Sequence, residues 1–165
     1  MNRIKRLLFG GPGSSRVGDL GLLALRVGVG GMMAIGHGMS KMFGDGRFGP
    51  DPQFAEGLAK MNVPAPTLAA WCAALAEFVG GALLAVGLLT RPAALALTIN
   101  MAVAAFVAHA SAPWFMSGQG PAKEPALLFL MPFIALLLTG PGRFSIDRAI
   151  AGAGRSGEAR GSGAA

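Results

Sequence analysis

Four long apolar runs constrain the fold of this chain more than any other feature. They cover about residues 20–43, 67–89, 92–112 and 125–139. Each is close to the ~20 apolar residues that a helix needs to cross a bilayer. Only 13% of the residues are charged, too few to cover the surface of a water-soluble globule. The sequence therefore predicts an all-α integral membrane protein, folded as a four-helix antiparallel bundle.

The bundle is predicted to comprise residues 20–150, and the segments before and after it are predicted to be tails. Residues 1–19 are basic and are expected to form a cytoplasmic tail, and residues 151–165, rich in Gly and Ala, a disordered one. The tight turn at Arg91 predicts a hairpin of the second and third runs. Nine Lys and Arg residues lie on the side of the two termini and four on the other side. This asymmetry predicts a multi-pass inner-membrane protein with both termini in the cytoplasm.

Composition also excludes several classes of function. The single cysteine, Cys72, excludes an intramolecular disulfide and a CxxC redox pair. The formal charge of +6 is dispersed around the apolar runs, so no nucleic-acid partner is expected. The lipid bilayer is the expected surrounding, together with protein partners or further copies of the chain.

Ionisable residues inside the runs are the candidates for a polar site, because each costs ~2.5–3.5 kcal/mol at the bilayer centre. Glu77, in the middle of the second run, must be protonated or paired. Its expected partners are Arg26, His37 and His109. The alternative is a glutamate that only holds two helices together. The candidates for the polar intramembrane site are His37, Lys41, Glu77, His109, Glu124 and Arg26.

In the first run, Arg26 and His37 are eleven residues apart and are expected to share a helix face, which Lys41 extends. In the alternative reading, Arg26 and Lys41 only extend to opposite membrane surfaces. The same run contains small residues spaced for close helix packing: Gly30, Ala34 and Gly38.

Candidates in the third and fourth runs are expected near the outer end of the bundle, the end away from the cytoplasm. His109 is placed at the depth of His37, where a hydrogen bond at the headgroup level is the alternative explanation. Asn100 is nine residues from His109, so it is expected to face away and to bond another helix. Glu124 opens the fourth run, where it either favours the helix dipole or joins the polar site.

The chemistry of this residue set favours a quinone over a metal. No pair of His and Glu residues has the i,i+3 or i,i+4 spacing of helical metal ligands, so no metal is predicted. An apolar slot with a few proton-carrying groups suits a quinone-type ligand. No complete catalytic constellation is present, so no catalytic residue is assigned and enzymatic activity stays open.

Four motifs in fixed order carry a family resemblance: H-G-x-x-K from His37, E-F-x-G-G from Glu77, G-L-L-T-R ending at Arg91, and G-P-G-R-F-S-I-D over residues 140–147. The chain resembles the DoxX family of small four-helix membrane proteins over most of residues 20–148. The resemblance implies roles for His37, Lys41, Glu77, Arg91, His109 and Glu124. It implies a structural role for the segment that ends at Asp147.

The resemblance also implies a redox context. Some relatives, the DoxD-like proteins, are associated with a thiosulfate:quinone oxidoreductase, and others with membrane complexes that link thiol handling to oxidant detoxification. The leading hypothesis is a subunit or accessory of a quinone-linked or oxidative-stress redox complex, with no covalently bound cofactor. The alternative is a non-catalytic membrane scaffold that recruits soluble partners. A small proton-coupled transporter is a third hypothesis, which the lack of an evident inverted repeat disfavours.

Overall fold

The computed structural model describes residues 16–44, 46–118 and 120–151, and every regular element in that part is helical. Residues 1–15 and 152–165, which hold most of the two predicted tails, lie outside it. A helical turn over residues 146–151 follows the five helices. These helices are α1 (Arg16–Phe43), α2 (Pro52–Lys60), α3 (Pro66–Val86), α4 (Thr90–Ala108) and α5 (Glu124–Thr139).

Four of these helices are the apolar rods of a membrane bundle. By length and composition, α1, α3 and α4 can each cross a bilayer, while α5 is apolar but has 16 residues. Neighbours in the chain pack against each other, and α5 closes the ring against α1. Large apolar side chains such as Ile35, Leu128 and Leu138 are exposed on the outside. The predicted all-α membrane bundle is confirmed, and α1 begins four residues before the predicted span.

The bundle has two distinct ends. We call one the termini end, which carries the start of α1, the α3–α4 turn and residues 140–151. The other is the loop end, which carries α2 with its flanking loops and residues 109–123. The apolar core lies toward the termini end, where large side chains are fully buried: Leu84, Leu97, Phe133 and Leu136.

Small residues let α1 approach α3 closely. A Cβ atom on Gly38 would lie 2.5 Å from the Cα of Phe78, and one on Gly30 would lie 2.7 Å from the carbonyl oxygen of Gly81. Only glycine fits between backbones at that distance, as in other tightly packed membrane helices. The predicted ridge of small residues is therefore confirmed, and it brings the polar end of α1 against α3.

Three π-helical turns interrupt the apolar helices, at Met32–Gly38 in α1, Ala76–Gly80 in α3 and Ala104–Ala108 at the end of α4. Each turn contains or adjoins a candidate site residue: His37, Glu77 and His109. A π turn accommodates one extra residue, so it rotates every side chain that follows, and such turns are frequent at functional sites.

Asp147 fastens the C-terminal segment to the termini end. Its two carboxylate oxygens accept hydrogen bonds from the amides of Leu89 (2.8 Å) and Thr90 (2.9 Å), and its own amide donates to the Gly87 carbonyl (2.9 Å). Burial by itself raises the pKa of Asp147. The Thr90 and Leu89 hydrogen bonds and the Arg26 charge outweigh burial and hold that pKa below its ordinary value. Asp147 thus caps α4, the helix that follows the tight turn.

Candidate functional site

Glu77 is the centre of a buried polar cluster contributed by three helices. The ammonium of Lys41 on α1 lies 2.5 Å from Oε1 of Glu77 on α3, and the side-chain amide of Asn100 on α4 donates to the same oxygen at 2.9 Å. The Glu77 side chain is only 2% exposed, while that of Lys41 is 27% exposed. Oε2 of Glu77 is buried and accepts no hydrogen bond from the residues that the structure describes.

A cleft of about 270 Å³ opens beside this cluster, between α1, α4 and α5. Apolar side chains form most of its wall, with Met33, Met101 and Phe129 among them. Its polar lining consists of His37, Lys41, Glu77 and His109. The cleft therefore combines apolar contact area with a few hydrogen-bonding groups, as small-molecule sites do.

A second cavity, the inner chamber, lies on the other side of the ion pair and has a volume of about 120 Å³. Asn100 contributes its polar side, and Phe54 and Leu58 of α2 contribute apolar walls. Lys41, Glu77, Ala104 and His109 line both the cleft and the inner chamber. The Lys41–Glu77 pair thus stands in the wall between the two cavities.

The two histidines approach the cleft from different helices. His37 lies within the π turn of α1, and its ring meets Phe129 edge-on at 5.3 Å between centroids. His109 ends the π turn of α4, where its amide donates to the Ala104 carbonyl at 3.0 Å. The structure places four predicted site residues around the cleft: His37, Lys41, Glu77 and His109.

The other two predicted residues lie elsewhere. Oε2 of Glu124 accepts a hydrogen bond from the Met116 amide at 2.9 Å, so it holds the α4–α5 loop. Arg26 is fully buried near the termini end, where its guanidinium donates to the Phe144 carbonyl. Gly87, with φ at +73°, leaves the space that this guanidinium needs. Arg26 is therefore part of the attachment of the C-terminal segment.

The predicted partners of Glu77 were wrong, because Lys41 and Asn100 take the places expected for Arg26 and the histidines. The interhelical hydrogen bond predicted for Asn100 is confirmed. Its expected separation from His109 is wrong, because both residues line the inner chamber. The π turn between them is the physical reason, and ideal helical spacing contains no signal for it.

The charges of the site compensate each other and leave hydrogen-bonding capacity. Lys41 has three N–H donors, of which one is needed for Glu77. Within the described residues no group of three or more His, Cys, Asp or Glu side chains is arranged to hold a metal ion. The arrangement can bind an uncharged, mainly apolar molecule with hydrogen-bonding oxygens.

Comparison with known proteins assigns the family. The DoxX family model matches residues 21–110, a segment that contains all four cleft-lining polar residues. The chain belongs to the DoxX family. This DoxX protein is also similar to the "Uncharacterized membrane protein Rv3486" of Mycobacterium tuberculosis, with 31% identity over 139 residues, 79% of this chain and 82% of the relative. The search of solved structures gave no significant match.

Proposed function

We propose that this DoxX protein binds a membrane quinone in the cleft, as a subunit or accessory of a quinone-linked or oxidative-stress redox complex in the inner membrane. The observation that supports the proposal is the Lys41–Glu77 pair in the wall of an apolar cleft. Burying an ion pair inside a membrane bundle costs free energy unless hydrogen bonds satisfy all of its polar atoms, so an incompletely satisfied pair indicates a functional role. Oε2 of Glu77 has no described partner, so compensation is incomplete.

The lining of the cleft fits a quinone head group. Met33, Met101 and Phe129 offer polarizable, flat contact surfaces for a ring. Lys41 and the imidazole of His37 offer donors for ring carbonyl oxygens. The volume of about 270 Å³ is close to the lower limit of small-molecule pockets, roughly 300 Å³, and suits a single small ring system.

A bound quinone would contribute the capacity to accept electrons and protons, with the electrons delivered by a partner protein. The residues of this chain would orient the ring and exclude water from it. Glu77, hydrogen-bonded by Lys41 and Asn100, would hold or release a proton at its carboxylate. None of these groups is itself a redox centre, which is why the proposal includes a partner.

Quinone titration of the purified protein in nanodiscs tests this proposal. We expect short-chain benzoquinone or naphthoquinone to bind, as measured by calorimetry. His37→Ala is expected to lower the affinity about tenfold, equivalent to one lost hydrogen bond of ~1.4 kcal/mol. Glu77→Gln is expected to lower it by a similar factor, because the Lys41 ammonium loses the carboxylate that positions it beside the ring. Glu56→Gln is the matched control, because Glu56 is exposed on α2 and lines neither the cleft nor the inner chamber, and it should leave the affinity unchanged. Equal affinity in all four proteins would refute the site.

A scaffold without chemistry is the second candidate function, and one observation favours it. Glu77 joins α1, α3 and α4, which is what a purely structural glutamate would do. In that case Glu77→Gln would lower the melting temperature and leave the activity of a partner complex, per folded molecule, unchanged. Quinone affinity of the folded variant separates the two functions.

We also propose that both termini are cytoplasmic. The support is the count of nine Lys and Arg residues on the side of the termini against four on the other side. In this orientation the cleft and α2 face away from the cytoplasm. Thiol labelling of a Cys72→Ala protein with one cysteine introduced at Lys60 or at Arg148 tests it. Labelling of the Arg148 site in intact cells by an impermeant reagent would contradict the orientation.

A further inference from the structure

We propose that Glu77 exchanges its proton with the solution at the loop end alone, through a hydrated path in which His109 is the connecting residue. The inference deepens the proposed function, since it names the route by which the quinone site would gain or lose protons. The route itself is a property of this chain and needs no quinone to be observed.

Three cavities meet at His109. It lines the cleft and the inner chamber, which Glu77 also lines. It lines in addition a vestibule of about 430 Å³ at the loop end, whose walls include Ser111, Ser117 and Pro121. Gly120 and Pro121 also line both the vestibule and the cleft, and Met61 and Ala108 line both the vestibule and the inner chamber. Among these shared lining residues of the described chain, His109 alone has a titratable side chain, and an imidazole can pass a proton near neutral pH.

The inner chamber is suited to hold water. Its volume of about 120 Å³ is well above the ~10–15 Å³ that one water molecule needs. Its lining includes Lys41, Glu77, Asn100 and His109, and a buried water requires two to four polar partners. A water in this chamber would also satisfy Oε2 of Glu77, which has no partner among the described residues.

Among the described residues, the termini end offers no comparable path. The residues that line the two cavities around Glu77 come from the middle and the loop end of the bundle. On the other side the core is packed with Leu84, Leu97, Phe133 and Leu136, each fully buried. A close-packed apolar layer conducts water poorly because it contains neither space nor hydrogen-bonding partners.

The titratable surroundings of Glu77 agree with this route. On α1 they are Lys41 and His37, and on α4 His109, with the neutral Asn100 beside it. The cleft-lining residues of α5 are Pro125, Ala126 and Phe129, and the chamber-lining residues of α2 are Phe54 and Leu58, none of which titrates. Lys41 is engaged with Glu77, which leaves the two imidazoles as carriers of a proton. Of these two, within the part of the chain that the structure describes, only His109 lines the vestibule.

Carbodiimide labelling measures this access. Dicyclohexylcarbodiimide permeates membranes and reacts with a carboxyl group only in its protonated form, and peptide mass spectrometry quantifies the adduct on Glu77. Vesicles that contain the full chain are captured through a C-terminal tag, so that the termini end faces outward. The internal and external pH are then set separately. Glu77→Gln identifies the labelled peptide, and Glu56→Gln, at an exposed carboxylate of α2 outside the three cavities, is the control that should label normally.

We expect the labelling rate of Glu77 to follow the internal pH, on the loop-end side, and to ignore the external pH. His109→Phe should slow the response of the labelling rate to internal pH at least tenfold. His109→Gln keeps a polar path without a titrating ring, so its response should be slower than that of the unsubstituted protein and faster than that of His109→Phe. If His109→Phe does not fold, the response of His109→Gln is compared with that of the unsubstituted protein instead. Labelling that follows the external pH or both sides equally, or that is unaltered in the His109 variants, would overturn the inference.

The two proposals fail separately. One-sided labelling together with absent quinone binding refutes the proposed function and leaves the proton route. Two-sided labelling together with normal quinone affinity refutes the route and leaves the quinone site.

Discussion

Removing the two partners of the ion pair one at a time should have unequal costs. Lys41→Met leaves the carboxylate of Glu77, 2% exposed, without a compensating cation. The loss of one partner of a buried pair costs about 3–5 kcal/mol. Glu77→Gln keeps the hydrogen bond from Asn100 and leaves Lys41, which is 27% exposed, in contact with solvent. That change should cost only about 1–2 kcal/mol.

The double variant Lys41→Met/Glu77→Gln removes both charges and should cost about the same as Glu77→Gln alone. The free energies of the single variants are then non-additive by the full cost of Lys41→Met, about 3–5 kcal/mol, which is the signature of a direct interaction. Unfolding in mixed micelles, followed by the fluorescence of the two tryptophans, gives these values. Lys60→Met on the exposed face of α2 is the control and should stay within about 0.5 kcal/mol of the unsubstituted protein.

Two results would refute this reasoning. One is an equal cost for the two single variants, because it would mean that Glu77 is as well solvated as Lys41. The other is a double variant whose cost equals the sum of the single costs, because the two side chains would then not interact.

The remaining predictions concern the packing and the termini end. Gly38→Ala places a methyl group against the backbone of Phe78 and should lower the free energy of unfolding by about 3 kcal/mol. Gly36→Ala lies in the same π turn with open space around it, so it should be neutral or stabilise the protein by about 0.5–1 kcal/mol. Thermal unfolding measures both changes. Because the folded-state pKa of Asp147 lies below its ordinary 3.8, its contribution is complete above that value and is lost as the pH falls through the lowered pKa. Acidification in that range should therefore lower the protection factor of the Thr90 amide, which is its exchange rate compared with that of an unstructured amide at the same pH, and Asp147→Asn should remove the pH dependence of this protection.

Sequence reasoning predicted the fold well because its signals are strong. Runs of about 20 apolar residues leave few alternatives to a membrane bundle. The small-residue ridge with Gly30 and Gly38 predicted which face of α1 packs closely, and the structure shows both glycines against the backbone of α3. Four motifs in order predicted the family.

The site was predicted less well because the π turns are invisible to ideal periodicity. Eleven residues of α-helix bring Arg26 and His37 within about 20° of each other around the axis, but one extra residue in the intervening turn separates them by about 80°. One extra residue in the π turn of α4 likewise reduces the angle between Asn100 and His109 around the helix axis from about 180° to about 80°. The structure brings Asn100 into the inner chamber with His109. It buries Arg26 near the termini end, and eleven residues of helix, ~16 Å along the axis, also separate Arg26 from His37.

The contact between Lys41 and Glu77 is the central claim, and solid-state NMR in lipid bilayers tests it most directly. With lysine side chains labelled with ¹⁵N and glutamate carboxylates with ¹³C, dipolar dephasing reports their separation. An N–O distance of 2.5 Å predicts strong dephasing of the Glu77 carboxylate signal, and Lys41→Met should remove it. Absence of dephasing in the unsubstituted protein, or equal dephasing in Lys41→Met, would contradict the account.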